Sequence, residues 1–238
     1  MNNQDWLGQQ LVTIKEWRQQ YWASMVFALS TPITQKKLDR ALSQSPESVK
    51  HDRTTTVVKW VFESHHFVLK RYNPRGPWHK IKRALRRSRA RRCWLMSYEF
   101  QQSGLNVPAP ALMYERRFGP IRLMAYFANR FIPGQELLTA LPEMDAAQRE
   151  KVAIAVKHSF KLMHKHRISH GDMKATNLLW FNDLLYFVDL DAARKHRSRV
   201  AWQRAHIRDR KRFLKNWREH PELLALFDSR DEEGAKEN

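Results

Sequence analysis

At 238 residues, with 43 Lys and Arg against 24 Asp and Glu, the chain carries a formal charge of +19. A hydrophobic fraction of 42% and nine Trp exclude the depleted composition of a disordered chain, and the length allows one large domain or two small ones. The charge predicts phosphate-rich partners such as nucleic acid, anionic lipid or phosphorylated glycan, without choosing among them.

The N-terminus has Asp5 and Trp6 where a signal peptide carries its basic region, and the early apolar run Tyr21 to Leu29 is short of the ~20 residues that span a bilayer. Neither an export signal nor a transmembrane helix is expected. Residues 5–29 place Leu7, Leu11, Ile14 and Tyr21 near helical spacing, flanked by Trp17 and Trp22, which predicts a helix or helix-turn leading into a strand. Residues 54–70, TTTVVKWVFESHHFVLK, are rich in β-branched and aromatic residues and break near Glu63-Ser64. They predict a hairpin with Lys70 at the end of its second strand. Pro74, Gly76 and Pro77 mark a loop, and the stretch from His79 to Gly104 has helical propensity. From Cys93 to Phe100 apolar residues lie nearly all round that helix, so this half is expected to be buried; the half before it is almost solidly basic and faces solvent or a polyanion. Cys93 is the lone cysteine, and no Cys-His zinc spacing occurs, so a reducing compartment is expected.

Pro108 and Pro110 break the chain before strands around Ala111–Glu115 and Ile121–Phe127, and FIPGQEL reads as a loop. Asp145 with Gln148 predicts a capping box that starts a helix over 146–166, with Val152, Ala155, Val156, Phe160 and Met163 on its buried stripe. HGDMKATN comes next, then NLLWF and LLYFV around Asn182-Asp183, a short-hairpin signal. A basic helix of about 201–219 precedes a polar tail, 229–238, expected to be disordered.

The order strand-Lys, helix, strand pair, helix, His-Gly-Asp-x4-Asn, hairpin, Asp is the layout of the kinase fold. An α+β, bilobal protein-kinase-like fold is therefore expected, with a small β-rich N-lobe over 1–127, including an N-terminal helix and a C-type helix. The mainly helical C-lobe is expected over 128–228. Asp172 and Asn177, five apart, let the acid face an acceptor hydroxyl while the amide reaches a metal ion on the phosphates. Asp189, seventeen residues after Asp172 at the end of an apolar strand, is placed to bind Mg²⁺ as well. Phosphoryl transfer needs little covalent help, so the demand is to hold a base, metal ions and a phosphate-pairing cation in register. Mg²⁺ takes one or two protein oxygens beside phosphate and water, which Asp189 and Asn177 supply. Lys70 is the natural partner for the α- and β-phosphates of ATP, and Lys174 is a second candidate, for the γ-phosphate. Glu99 is either the acid that holds Lys70 or a solvated helix residue. A polar turn capping a structural hairpin is the bland alternative; it does not account for three carboxylate or amide groups around one hairpin. His164, His166 and His170 are read as packing or catalytic-loop residues rather than zinc ligands.

HGDMKATNLLW with YFVDLDAARK, SRARRCW, LNVPAPALMYE and a final RDRKRFLKNW resemble the lipopolysaccharide core kinases of Gram-negative bacteria, the Kdo/WaaP type, over about Val58 to Trp217. The resemblance implies phosphorylation of a heptose or Kdo hydroxyl in the lipopolysaccharide inner core, with Asp172 as base, Asn177 and Asp189 on Mg²⁺, and Lys70 on ATP. It also implies a cytoplasmic site peripheral to the inner membrane, with a core glycolipid as acceptor. Lys80, Lys82, Arg83, Arg86 and Arg87 would suit its anionic surface.

The sequence departs from the kinase pattern in three places. Gln44 to Thr56 contains no Gly, so the phosphates must be cradled by another turn or a Ser/Thr loop. Cys93 sits where a related sequence could carry a Glu. Only 49 residues follow Asp189 and no A-P-E segment appears, which favours a small-molecule or glycan acceptor. Competing readings are an aminoglycoside-type or RIO-like protein kinase and a non-catalytic polyanion-binding pseudokinase. The positive charge argues against a cationic acceptor, and the intact Asp172, Asn177 and Asp189 argue against a pseudokinase. The basic stretches 80–92 and 194–212 are read as solvated faces, so base-specific nucleic-acid binding is not expected.

Overall fold

The computed structural model describes residues 11–16, 18–24, 33–45, 48–51, 55–73, 88–119 and 121–227. The chain divides into two units, Met1–Gln102 with Pro108–Phe131 and Ser103–Val107 with Ile132–Asn238.

In the first unit the described strands are β1 (Leu11–Lys15), β2 (Gln19–Ser24), β3 (Ser48–His51), β4 (Thr55–Phe62), β5 (His65–Tyr72), β6 (Pro110–Phe118) and β7 (Ile121–Arg130). They pair antiparallel in one sheet, in the order β1-β2-β6-β7-β5-β4-β3. Among the described residues α1 (Gln35–Gln44) and α2 (Arg89–Gln102) accompany it. Successive strand residues point to opposite faces, so each strand feeds two cores. Ala125 and Phe127 of β7 pack with Cys93, Trp94 and Tyr98 of α2, whereas Tyr126 and Ala128 pack with Leu38 of α1. Phe67, Leu69, Trp94 and Phe100 are buried almost completely, each worth about 1.5–3 kcal/mol over its exposed state.

The helix expected near the N-terminus is corrected. Leu11–Lys15 and Gln19–Ser24 form a hairpin in which Thr13 pairs with Trp22 and Ile14 with Tyr21. Val12, Thr13 and Ile14 are β-branched and stiff at χ1, which favours extended chain, and β2 gains a second partner in β6. Residues 1–10 and 25–32 lie outside the described residues. The hairpin expected over 54–70 is present as β4 and β5, with Glu63 and Ser64 both at positive φ in its turn. Helix α1, capped by Thr34, and strand β3 were not expected. The helix expected from His79 is described from Arg89 onward, and its basic half, 80–87, lies outside the described residues.

The second unit contains β8 (Gln135–Glu136), α3 (Leu137–Glu143), α4 (Ala146–Lys165), β9 (Ile168–Ser169), β10 (Leu178–Phe181), β11 (Leu184–Phe187), β12 (Arg194–Lys195), α5 (Arg199–Lys215) and α6 (Pro221–Phe227). Strand β8 and the first residue of helix α3 occupy the end of the segment read as a loop, Phe131–Leu137. At the start of α4, Asp145 accepts the Gln148 N–H at 2.8 Å and Gln148 accepts the Asp145 N–H at 3.3 Å, the capping box expected there. Val152, Val156 and Met163 are buried on α4. Phe213 and Trp217 pack against Phe227 of α6, a helix too short to read from periodicity. The fold is α+β. Among the described residues no helix is long and apolar enough to cross a membrane. The tail, 229–238, lies outside the described residues.

Candidate active site

The segment His170–Asn177 leaves β9, which is tied to β12 through Ser169 opposite Arg194. His170 is fully buried; its Nε2 donates to the Val188 carbonyl at 3.0 Å and its Nδ1 accepts the Asp172 N–H at 3.3 Å. Only the neutral ring with its hydrogen on Nε2 satisfies both partners. Burial pushes this imidazole below its ordinary value, in keeping with the neutral form. Gly171 has φ +80°, and a Cβ there would lie 2.6 Å from the Ala192 carbonyl oxygen. The position therefore requires glycine, the physical reason for His-Gly-Asp.

Asp209 of α5, 2% exposed, holds the turn from below. It accepts the His170 N–H at 2.7 Å and the Gly171 N–H at 2.9 Å. Burial pushes its carboxyl up, against the Gly171 N–H, which lowers it. Asp172 itself is 30% exposed in its side chain. Its Oδ1 accepts from Arg212 Nη1 at 2.7 Å, and its Oδ2 lies 3.5 Å from Lys174 Nζ. Asn177 Nδ2 donates to the Asp172 carbonyl at 2.8 Å and to Oδ2 at 3.4 Å. The amide nitrogen is thus committed to Asp172, and Oδ1 is the atom of Asn177 suited to a cation.

The β10–β11 hairpin brings Asp189 into this site. Asn182 and Asp183 close it at φ 49° and 56°, the left-handed pair that two-residue hairpins favour. Leu178 pairs with Phe187, and the Val188 N–H donates to the Asn177 carbonyl at 3.0 Å. Asn177 and Asp189 consequently flank the same end of the hairpin. Asp189 has φ 59° and ψ 54°, a left-handed conformation that costs a non-glycine residue about 1–2 kcal/mol. The Val188 bond on one side and buried Leu190 on the other hold it there.

Lys70 and Glu99 lie in the first unit. Lys70 is opposite Val57 on β4 and Phe127 on β7, so it shares with Phe127 and Tyr72 the sheet face that α2 covers. Glu99 is half-buried on α2. Cys93 is core on that face, 3.4 Å from the Tyr72 hydroxyl. His164 packs edge-on to Trp202 at 4.6 Å and His170 against Phe187. Lys80, Lys82, Arg83, Arg86, Arg87 and the turn between β3 and β4, within the glycine-free stretch, lie outside the described residues.

Asp209 and Arg212 went unread in the sequence, absorbed in the basic run RDRKR. The available signal was that Asp209 is the one acid between Asp191 and Glu219 and falls on the buried stripe of Trp202, Ala205 and Phe213.

The class of protein is a kinase, and thus a transferase. The chain belongs to the lipopolysaccharide kinase (Kdo/WaaP) family, whose model matches residues 40–224. Its fold is similar to that of a solved structure described as WaaP in complex with acyl carrier protein, at TM-score 0.54 and 14% identity over 80% of this chain and 89% of that one. No curated protein matches the chain.

Proposed function

We propose that this chain is an ATP-dependent kinase that phosphorylates a sugar hydroxyl, of heptose or Kdo, in the lipopolysaccharide inner core. The observation that carries the proposal is the fixing of Asn177 to Asp172 while the β10–β11 hairpin returns Asp189 to the same end. Asp172 is the base that accepts the proton of the acceptor hydroxyl. The oxygens of Asn177 and Asp189 fit Mg²⁺, a hard cation that uses few protein ligands; when bound, the ion neutralises phosphate charge. Lys70 pairs with the α- and β-phosphates of ATP, and its place on the face covered by α2 supports Glu99 as the acid that holds it. Lys174, beside Asp172, steadies the phosphoryl group in transfer.

The sheet-rich first unit and helical second unit support a bilobal kinase arrangement with an N-lobe over 1–127 and a C-lobe over 128–228. Lys80, Lys82, Arg83, Arg86 and Arg87 meet the anionic inner membrane from its cytoplasmic side. The test offers labelled Mg-ATP with core oligosaccharide, a protein and an aminoglycoside side by side. Label on the oligosaccharide is expected; label on another acceptor alone would contradict the assigned substrate.

A further inference from the structure

Asp172 is already engaged by cations. Arg212 Nη1 lies 2.7 Å from its Oδ1 and 3.3 Å from the Gly171 carbonyl, while Lys174 Nζ lies 3.5 Å from its Oδ2. A base must offer a lone pair to the hydroxyl it deprotonates, and the shorter contact, to Arg212, occupies one of the two oxygens. The Arg212 side chain is 49% exposed, and its guanidinium has further N–H donors for a second anion.

Arg212 also belongs to a row. Arg204, Arg208, Arg212 and Lys215 recur at spacings of four, four and three along α5, and all four are exposed. Residues so spaced share one side of a helix, where like charges repel one another. The row works against the helix that carries it and meets Asp172 at Arg212.

We infer that Arg212 is an acceptor-binding, specificity-determining residue that receives a carboxylate or phosphate carried by the acceptor near its reacting hydroxyl. In moving onto that anion it releases Oδ1 of Asp172. The hydroxyl proton then passes to Asp172, the hydroxyl oxygen bonds to the γ-phosphorus, and the bond from that phosphorus to the β-phosphate oxygen breaks as ADP departs. One oxyanion replaces another on the guanidinium, so the exchange leaves no cation stranded. A neutral sugar offers no such exchange and leaves Oδ1 of Asp172 capped. Arg208 and Arg204 extend the site along an acidic oligosaccharide. The inference rests on the reading of Asp172 as the base.

The test measures binding and transfer with two acceptor pairs: Kdo beside its carboxyl-reduced form, and a sugar phosphate beside its dephosphorylated form. Wild type is expected to bind the acidic member of at least one pair tenfold or more tightly than its neutral partner. Arg212→Gln is expected to erase that preference through KM, and Arg212→Lys to restore part of it. The pair that shows the preference distinguishes carboxylate from phosphate. Equal affinity within both pairs for wild type overturns the inference; so does an Arg212→Gln variant that lowers kcat alike on all acceptors and keeps the preference. Because affinity is read without turnover, acidic-sugar binding through Arg212 with no phosphoryl transfer would refute the role of Asp172 and leave this site standing.

Discussion

His170 links Val188 in the second unit to Asp172 through the two ends of one ring. Protonating Nδ1 would turn an acceptor into a donor facing the Asp172 N–H, so acid works against the loop. Its value is lowered by burial, and the sign follows. As pH falls below about 6.5, the ordinary histidine value, the unfolded chain takes up a proton that the folded chain refuses, and stability falls until the folded ring itself protonates. Asp209, raised by burial, has the opposite sign. Comparing wild type with His170→Gln keeps the Asp209 carboxyl in both and removes the imidazole with its electrostatic interaction with that carboxyl. Urea denaturation across pH is expected to show wild type losing stability relative to the variant as pH drops below about 6.5; parallel pH profiles would contradict the neutral, buried ring.

At the scale of elements, α5 anchors the loop and the β10–β11 hairpin brings Asn177 and Asp189 to one end. Asp209→Ala leaves the buried His170 N–H and the partly buried Gly171 N–H without their acceptor. At ~1–3 kcal/mol for each unsatisfied buried group, the variant is expected to lose roughly 3 kcal/mol in urea denaturation and to lose turnover with it. A loss within about 0.5 kcal/mol, the range of ordinary surface changes, would contradict the anchoring. The features legible in the sequence were local ones. The Asp145–Gln148 capping box and the turns at Glu63-Ser64 and Asn182-Asp183 are written within a few residues, and HGDMKATN fixes its own spacing. The β1–β2 hairpin was not legible because Tyr21, opposite Ile14, finds its second partner in Tyr114, far along the chain. Over so short a stretch, the spacing of Leu7, Leu11 and Ile14 did not separate helix from strand. Asp209 was hidden for a related reason, since its partners are backbone N–H groups almost forty residues upstream.

At the scale of the whole molecule, a charge of +19 acts over the range of an anionic surface. Neutralising Lys80, Lys82, Arg83, Arg86 and Arg87 together is expected to weaken binding to anionic vesicles by about 1 kcal/mol per residue, measured by co-sedimentation at fixed salt. Equal binding before and after would make that segment a solvated face. In the loop an imidazole, a helix carboxylate and an obligatory glycine hold Asp172 beside Asn177, whose carbonyl receives the N–H of Val188, the neighbour of Asp189. The most direct measurement is transfer of labelled γ-phosphate from Mg-ATP to purified core oligosaccharide by wild type and by Asp172→Asn, with folding checked by circular dichroism. Label on a core sugar and a loss of about 10²–10⁴-fold in the folded variant are expected; a folded Asp172→Asn enzyme that turns over at the wild-type rate would remove Asp172 from the role of base.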